Sequence, residues 1–177
     1  MTSVEKKKLR KIIMKNARLF NMRVQTKEKF CMKEDYHLFT YIENEIFRWE
    51  IQITICCAAE NRIHSMLFLH PVLITPKTRS EYIKFANAAN WYLSSAMGRF
   101  WVDDSNDFCY ESYLPLLLLE YEHELENQLF DLPFAHFRDC LSPLMKTKDG
   151  EWDSQVSIKF LTELRENGYI KNEDYGI

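Results

Sequence analysis

Glycine and proline are scarce in this 177-residue chain, numbering four and five, which leaves little room for long irregular loops. No segment is low in complexity and none recurs, so solenoids, propellers and disordered tracts are set aside. The phosphate-cradling patterns GxGxxG and GxxxxGK[ST] are missing, as is the GxSxG of a nucleophile elbow, which closes the usual entry points to nucleotide binding and hydrolysis. Five cysteines (Cys31, Cys56, Cys57, Cys109 and Cys140) include no CxxC pair and no zinc spacing. The longest apolar run, Leu114–Leu119, is far too short for a bilayer. The N-terminal residues are charged and lack an apolar core of roughly 7–15 residues, so no export signal is expected. With an odd thiol count, these features predict reduced cysteines, a cytoplasmic location and no membrane partner.

What is present reads as one folded domain over residues 1–177, with 147–177 as a helical extension: 46% of residues are apolar and 14% aromatic. Net charge is −3, unevenly spread. Residues 1–30 hold ten Lys/Arg against only Glu5 and Glu28, leaving an acidic body. Such a basic helix can steer an anionic partner, dock on an acidic face of the same or another subunit, or stand solvated, and solvation is the plainer reading. Nucleic acid is not expected, because few cations lie beside the aromatics of the strands.

Two periodicities organise the chain. Thr2-x-x-Glu5 is a capping box, and Leu9, Ile12, Ile13, Ala17 and Phe20 follow at helical spacing, predicting a helix over 3–20. Residues 21–35 are polar and carry no signal. From 36 the period is two: a strand over 36–43, then 47–57 with large apolar residues at odd positions, then Ile63–Leu73 after a turn over 59–62. Thr78-x-x-Glu81 is a second capping box, with Thr75-Pro76 as an alternative start. Its helix is predicted to end at Gly98 in a left-handed stop. A hairpin follows, Arg99–Asp103 and Phe108–Leu114, turning at Asp104–Asp107. Helical spacing resumes at Tyr121–Leu129, at Phe134–Leu144 and at Trp152–Leu164, with Gly168 as terminator. The order α-β-β-β-α-β-β-α-α-α predicts an α+β fold: a five-stranded antiparallel sheet with helices mainly on one face. Phe47, Trp49, Ile51, Ile53, Phe85, Leu93 and Phe100 are its predicted core.

No catalytic, cofactor-binding or metal-binding residue is selected by this pattern. His123-Glu124 begins an HExxH match that fails at Asn127. Glu34-x-x-His37 and Glu120-x-x-His123 have the spacing of a di-iron ligand pair, but His37 lies on a predicted strand and no further inward carboxylates are evident. Asp103–Asp107 lacks the glycine and final glutamate of an EF-hand and reads as a turn. His64 and His70 share a strand face and read as sheet-surface or satisfied core histidines, not as ligands. A thiol–imidazole pair is chemically available, but spacing picks none. Glu120, Glu122, Glu124 and Glu126 alternate and so do not form one helical face; an acidic helix of this kind can receive the basic N-terminal one of the same or another subunit, but plain solvation is the preferred reading.

The segment FANAANWYLSSAMGRFWVDDSNDFCYESYLPL, with an Asn-bearing helix (Asn87, Asn90), a Gly/aromatic link, an Asp/Asn turn and a Leu-rich strand end, resembles the YbjN-like family. The resemblance spans about residues 1–145, is most distinctive over 81–116, and leaves the tail Trp152–Ile177 outside the pattern. It implies a fold like that of type III secretion chaperones, a bacterial source and dimers that bind other proteins, and it brings no catalytic residue. The expected function is a non-enzymatic, chaperone-like or regulatory interaction module with an unidentified protein partner; the alternative is an enzyme or small-ligand protein with a pocket that no motif reveals. Consecutive Phe100 and Trp101 must face opposite sides of the sheet, so one of them needs a second cover. A homodimer partner or a bound segment supplies one, making Phe100 and Trp101 the candidate interaction residues; the chain's own helix over Trp152–Asn167 supplies another.

Overall fold

The computed structural model describes residues 1–27, 35–58, 62–70, 74–91 and 96–168. Helix α1 (Ser3–Leu19) starts at the expected capping box: the Thr2 N–H donates to Glu5 Oε2 at 2.6 Å, and the Glu5 N–H to Thr2 Oγ1 at 3.3 Å. Six antiparallel strands follow: β1 (Arg23–Lys27), β2 (Asp35–Glu43), β3 (Arg48–Ala58), β4 (Arg62–His70), β5 (Gly98–Val102) and β6 (Phe108–Pro115), in the spatial order β1-β2-β3-β4-β6-β5. Helix α2 (Arg79–Trp91) connects β4 to β5. After β6 come a 3₁₀ turn (Leu116–Glu120), short α3 (Glu122–Glu126), a π-helical turn (Asn127–Asp131), α4 (Leu132–Lys148) and α5 (Ser154–Asn167).

The α+β class and the antiparallel sheet agree with the sequence reading, but the sheet has six strands, not five. The additional strand, β1, is Arg-Val-Gln-Thr-Lys, a short edge strand whose flanking cations hide any apolar alternation. The helical region also differs. Backbone dihedrals stay right-handed from Glu126 through Leu132, so α3 and α4 join through the π turn instead of breaking at Pro133. Proline at the start of α4 has no N–H to place in the ladder, which suits this widened turn.

One face of the sheet is the core. Ile51, Ile53 and Ile55 on β3, Ile63, Leu67 and Leu69 on β4, and Phe108, Tyr110 and Leu114 on β6 are buried together with Leu9, Ile12 and Ile13 of α1, Tyr82 and Phe85 of α2, and Phe137, Leu141 and Leu144 of α4. Of the predicted core, Ile51, Ile53, Phe85 and Phe100 are fully buried, while Phe47 and Trp49 are half-buried at its margin. The Lys148 ammonium lies 5.2 Å from the Trp49 ring centre, as a cation over an aromatic face. Leu93 lies outside the described residues.

Two capping expectations need correction. Thr75 and Thr78 cap one another at the start of α2 (Thr75 N–H to Thr78 Oγ1, 3.1 Å; Thr78 N–H to Thr75 Oγ1, 3.4 Å). Glu81 instead reaches the N-terminus of α5, accepting from the Ser154 N–H at 2.8 Å. Gly98 is not a left-handed stop: positive φ occurs at Gly150 and Gly168, and α5 does end at Gly168 with φ 73°. Gly98 opens β5, where a Cβ would overlap the ring of fully buried Tyr110. That ring packs edge-on against Phe100 at 5.3 Å and has nowhere to retreat. Gly98→Ala is therefore expected to cost about 2 kcal/mol, read as a lower urea midpoint at unchanged slope.

The acidic segment is not simply solvated, as the sequence reading preferred; it receives the basic helix of its own chain. Lys15 Nζ meets Glu126 Oε1 at 2.7 Å and Glu122 Oε1 at 3.8 Å, Asn16 Nδ2 donates to Glu126 at 3.1 Å, and Lys8 reaches Glu120 at 3.6 Å. Burial pushes the Glu126 carboxyl up, but the Lys15 and Asn16 hydrogen bonds outweigh it and hold the group below its ordinary value.

Candidate functional site

Alternation that buries one face must expose the other, and here the second face has no helix on it among the described residues. Helix α2 bears on β5 and α4 on β2, while α5 packs on α2 and α4. The tail helix offered as a cover for the second face thus joins the helix layer on the first. The predicted interaction pair separates accordingly. Phe100 is 1% exposed in the core, whereas Trp101 is half-buried on the helix-free face. Phe100 is further fixed by Asn90, whose side chain accepts from the Phe100 N–H at 2.7 Å and donates to its carbonyl at 2.9 Å. This pairing satisfies the outer edge of β5 at Phe100, as a neighbouring strand would there.

Register lays out the open face in rows. One row runs Arg23, Phe39, Gln52, Phe68, Cys109, Trp101 from β1 to β5. The next runs Gln25, His37, Thr54, Met66, Glu111, Arg99. Beyond it lie Cys56, His64 and Tyr113. Phe39, Met66 and Phe68 are half-buried, and Tyr41 and Tyr113 are 56% and 48% exposed. Arg23 lies over the Phe39 ring at 4.9 Å and Arg48 over Tyr41 at 4.6 Å. Cys109, set between Phe68 and Trp101, is buried, and burial pushes its thiol well up.

The third row carries the densest chemistry of the described chain. His64 Nε2 lies 2.9 Å from Glu111 Oε1, and its Nδ1 lies 3.6 Å from Cys56 Sγ. Tyr113 stacks on the imidazole at 4.5 Å and 12°, and its hydroxyl donates to the same Glu111 oxygen at 3.1 Å. Burial and the Glu111 carboxylate push the Tyr113 phenol up. His64 is thus a satisfied histidine, with partners at both ring nitrogens, as one of its two sequence readings has it.

Spacing hid this cluster, although a signal existed. Burying Ile51, Ile53 and Ile55 with Ile63, Leu67 and Leu69 requires paired positions of equal parity. A turn over 59–62 violates that parity. The observed pairing Ala58↔Arg62 leaves three residues between the strands and sets Cys56 against His64. Glu111 arrives from a strand 47 residues away, which no local reading reaches.

The other sequence candidates do not converge. His37 faces Thr54 at 3.3 Å, and His123 is exposed on α3. Glu34 lies outside the described residues, as does the His70 side chain. Asp103–Asp107 is a turn: Asn106 has φ 67°, and Asp103 Oδ1 accepts from the Asp107 N–H at 2.8 Å. Among the described residues no group of three or more His, Cys, Asp or Glu could hold a metal ion. A groove of about 320 Å³ lies beside Phe20, Ile42 and Phe134, and its charged members Glu43, Asp131 and Arg138 are exposed to solvent, with no nucleophile of the Cys56 kind among them. No helix of the described residues is long and apolar enough to cross a membrane. No family model matches the sequence, and no curated protein is significantly similar to it.

Proposed function

We propose that this chain is a non-enzymatic protein-interaction module of the YbjN-like, chaperone-fold kind, acting in the cytoplasm as a homodimer that pairs through the helix-free face of its sheet. The observation that carries the reading is the row Phe39, Phe68, Trp101 with Met66 and Tyr41 beside it, apolar surface that the described helices leave uncovered. Large apolar areas of this kind favour a partner over water. A second copy suits the face because its charge is mixed: Arg23, Arg48 and Arg99 share it with Glu43 and Glu50. A two-fold axis through such a surface sets cations of one copy against carboxylates of the other. Nucleic acid fits poorly, since those carboxylates interrupt the face and two α1 cations, Lys8 and Lys15, are paired with Glu120, Glu122 and Glu126. The chaperone-like role, with a further protein partner, rests on the resemblance of residues 81–116.

Sedimentation equilibrium tests the assembly. Wild type is expected as a dimer. Phe68→Glu, which places a charge in the middle of the stripe, is expected to be monomeric with an unchanged far-ultraviolet circular dichroism spectrum. A wild type that stays monomeric at every concentration reached would sink the reading.

A further inference from the structure

The Cys56 row lies at the end of the open face, four residues along β3 from the Gln52 row, or about 13 Å at the usual rise of a strand. We propose that Cys56 is an activated thiol, a covalent modification site for soft electrophiles and small disulfides, with His64 as its proton acceptor and Glu111 as the residue that positions His64. The inference is independent of self-association, because a monomer carries the same three residues.

Geometry assigns the roles. With Nε2 at 2.9 Å from a carboxylate oxygen, the neutral imidazole keeps its proton on Nε2 and donates it to Glu111. Its Nδ1 lone pair is then directed at the Cys56 sulfur, 3.6 Å away. Proton transfer from sulfur to Nδ1 yields a thiolate beside an imidazolium, and the imidazolium is held by the Glu111 carboxylate. The His64 and Glu111 side chains are only 19% and 12% exposed, so water screens this pairing weakly. The Tyr113 ring covers one face of the imidazole and hydrogen-bonds Glu111, fixing both. Among the described side chains, the remaining charged neighbours on this face are Arg99, paired in register with Glu111, and Arg62, two residues before His64 on β4; on β2, Asp35 stands next to Tyr36, the register partner of Ile55. His37 on β2 is engaged with Thr54. Cys109 and Cys140 offer a contrast within the chain: both are buried, and burial pushes both thiols up.

The reactions balance without any further component. With an alkyl halide, the thiolate sulfur bonds the methylene carbon as halide leaves, and His64 releases its proton to solvent. With a small disulfide, the thiolate bonds one sulfur while the other departs as a thiolate and takes the proton from His64. The protein thiol is oxidised to a mixed disulfide, and the reagent is reduced to one disulfide-bound sulfur and one free thiol.

The test is alkylation of the reduced full-length chain by iodoacetamide at pH 6.5, followed by peptide mass spectrometry with fragment ions that separate Cys56 from Cys57. Cys56 is expected to react about tenfold faster than N-acetylcysteine at this pH, because an ordinary thiol is then mostly protonated. His64→Gln is expected to remove about tenfold of that rate, and Glu111→Gln a smaller part. At pH 9 the variants should approach wild type, since an isolated thiol ionises there without a base. Glutathione disulfide should form a mixed disulfide at Cys56 that dithiothreitol reverses. The proposal is overturned if Cys56 reacts no faster than N-acetylcysteine at pH 6.5, or if folded His64→Gln keeps the wild-type rate. Should His64→Gln fail to fold, the wild-type pH–rate profile decides: an inflection at the N-acetylcysteine position overturns the proposal.

Discussion

Phe100→Ala is expected to lose about 3–5 kcal/mol of stability, while Trp101→Ala, one residue along, loses about 1 kcal/mol or less. The two rings point to opposite sides of β5. Phe100 packs against Phe108, Tyr110 and Phe137 with ring centres 5.1, 5.3 and 5.1 Å away, so truncation empties the middle of an aromatic cluster that cannot close around the gap. Trp101 stands half-buried on the open face, and its removal leaves space that water can enter. Urea unfolding of the two variants, at protein concentrations low enough to separate the copies, measures the difference, and comparable losses at both positions there would show that the chain itself covers the second face as tightly as the first. Phe100→Ala is consequently a poor probe of self-association, since it perturbs the core. Trp101→Ala and Phe68→Glu act on the face itself.

Most of the architecture was legible because the sequence states it redundantly. Residues 51–55 alternate strictly between isoleucine and polar side chains, so the buried face of β3 could be read residue by residue. Thr2 and Glu5 announce α1 through side chains whose only local use is to satisfy N–H groups at a helix start. The readings that failed depend on distant partners. Glu81 sits at the right spacing from Thr78, yet its carboxylate finds the Ser154 N–H, 73 residues away. Gly98 has the look of a helix terminator, but its lack of a side chain serves the close approach of Tyr110 from the neighbouring strand. Asn90 reads as one of two asparagines of its helix until β5 is placed beside it. Cys56, His64 and Glu111 follow the same logic: each is unremarkable on its own strand, and only the register of β3, β4 and β6 makes a cluster of them.

Acid should weaken the fold in two steps, the first governed by His136. This side chain lies in the interior, where its Nδ1 accepts from the Arg165 guanidinium at 3.0 Å; Arg165 also meets Asp139 at 3.3 Å, tying α4 to α5. Protonation would turn that acceptor into a donor and set an imidazolium against a guanidinium. Burial, with the Arg165 charge adding to it, pushes the His136 pKa from 6.5 down to about 4. The unfolded chain therefore binds a proton at this site that the folded chain refuses. Stability is whole above pH 6.5 and falls as pH drops through the window to about 4, by about 3 kcal/mol if the site acts alone. Asp139 works in the opposite sense, because burial raises its carboxyl against the pull of Arg165, and protonation then favours the folded state. The informative quantity is accordingly a difference between variants. His136→Gln keeps an acceptor for Arg165 and cannot titrate, so its urea midpoint should decline less than that of wild type between pH 7 and pH 4. The second step belongs to Glu81, whose carboxyl is held at about 2 by the Lys84 hydrogen bond and by the Ser154 contacts. Its contribution is present above the ordinary carboxylate value of 4.5 and is lost only as pH falls toward 2, so it leaves the upper window to His136. Parallel decline of wild type and His136→Gln from pH 7 to pH 4 would mean that the buried imidazole is protonated as readily in the fold as outside it.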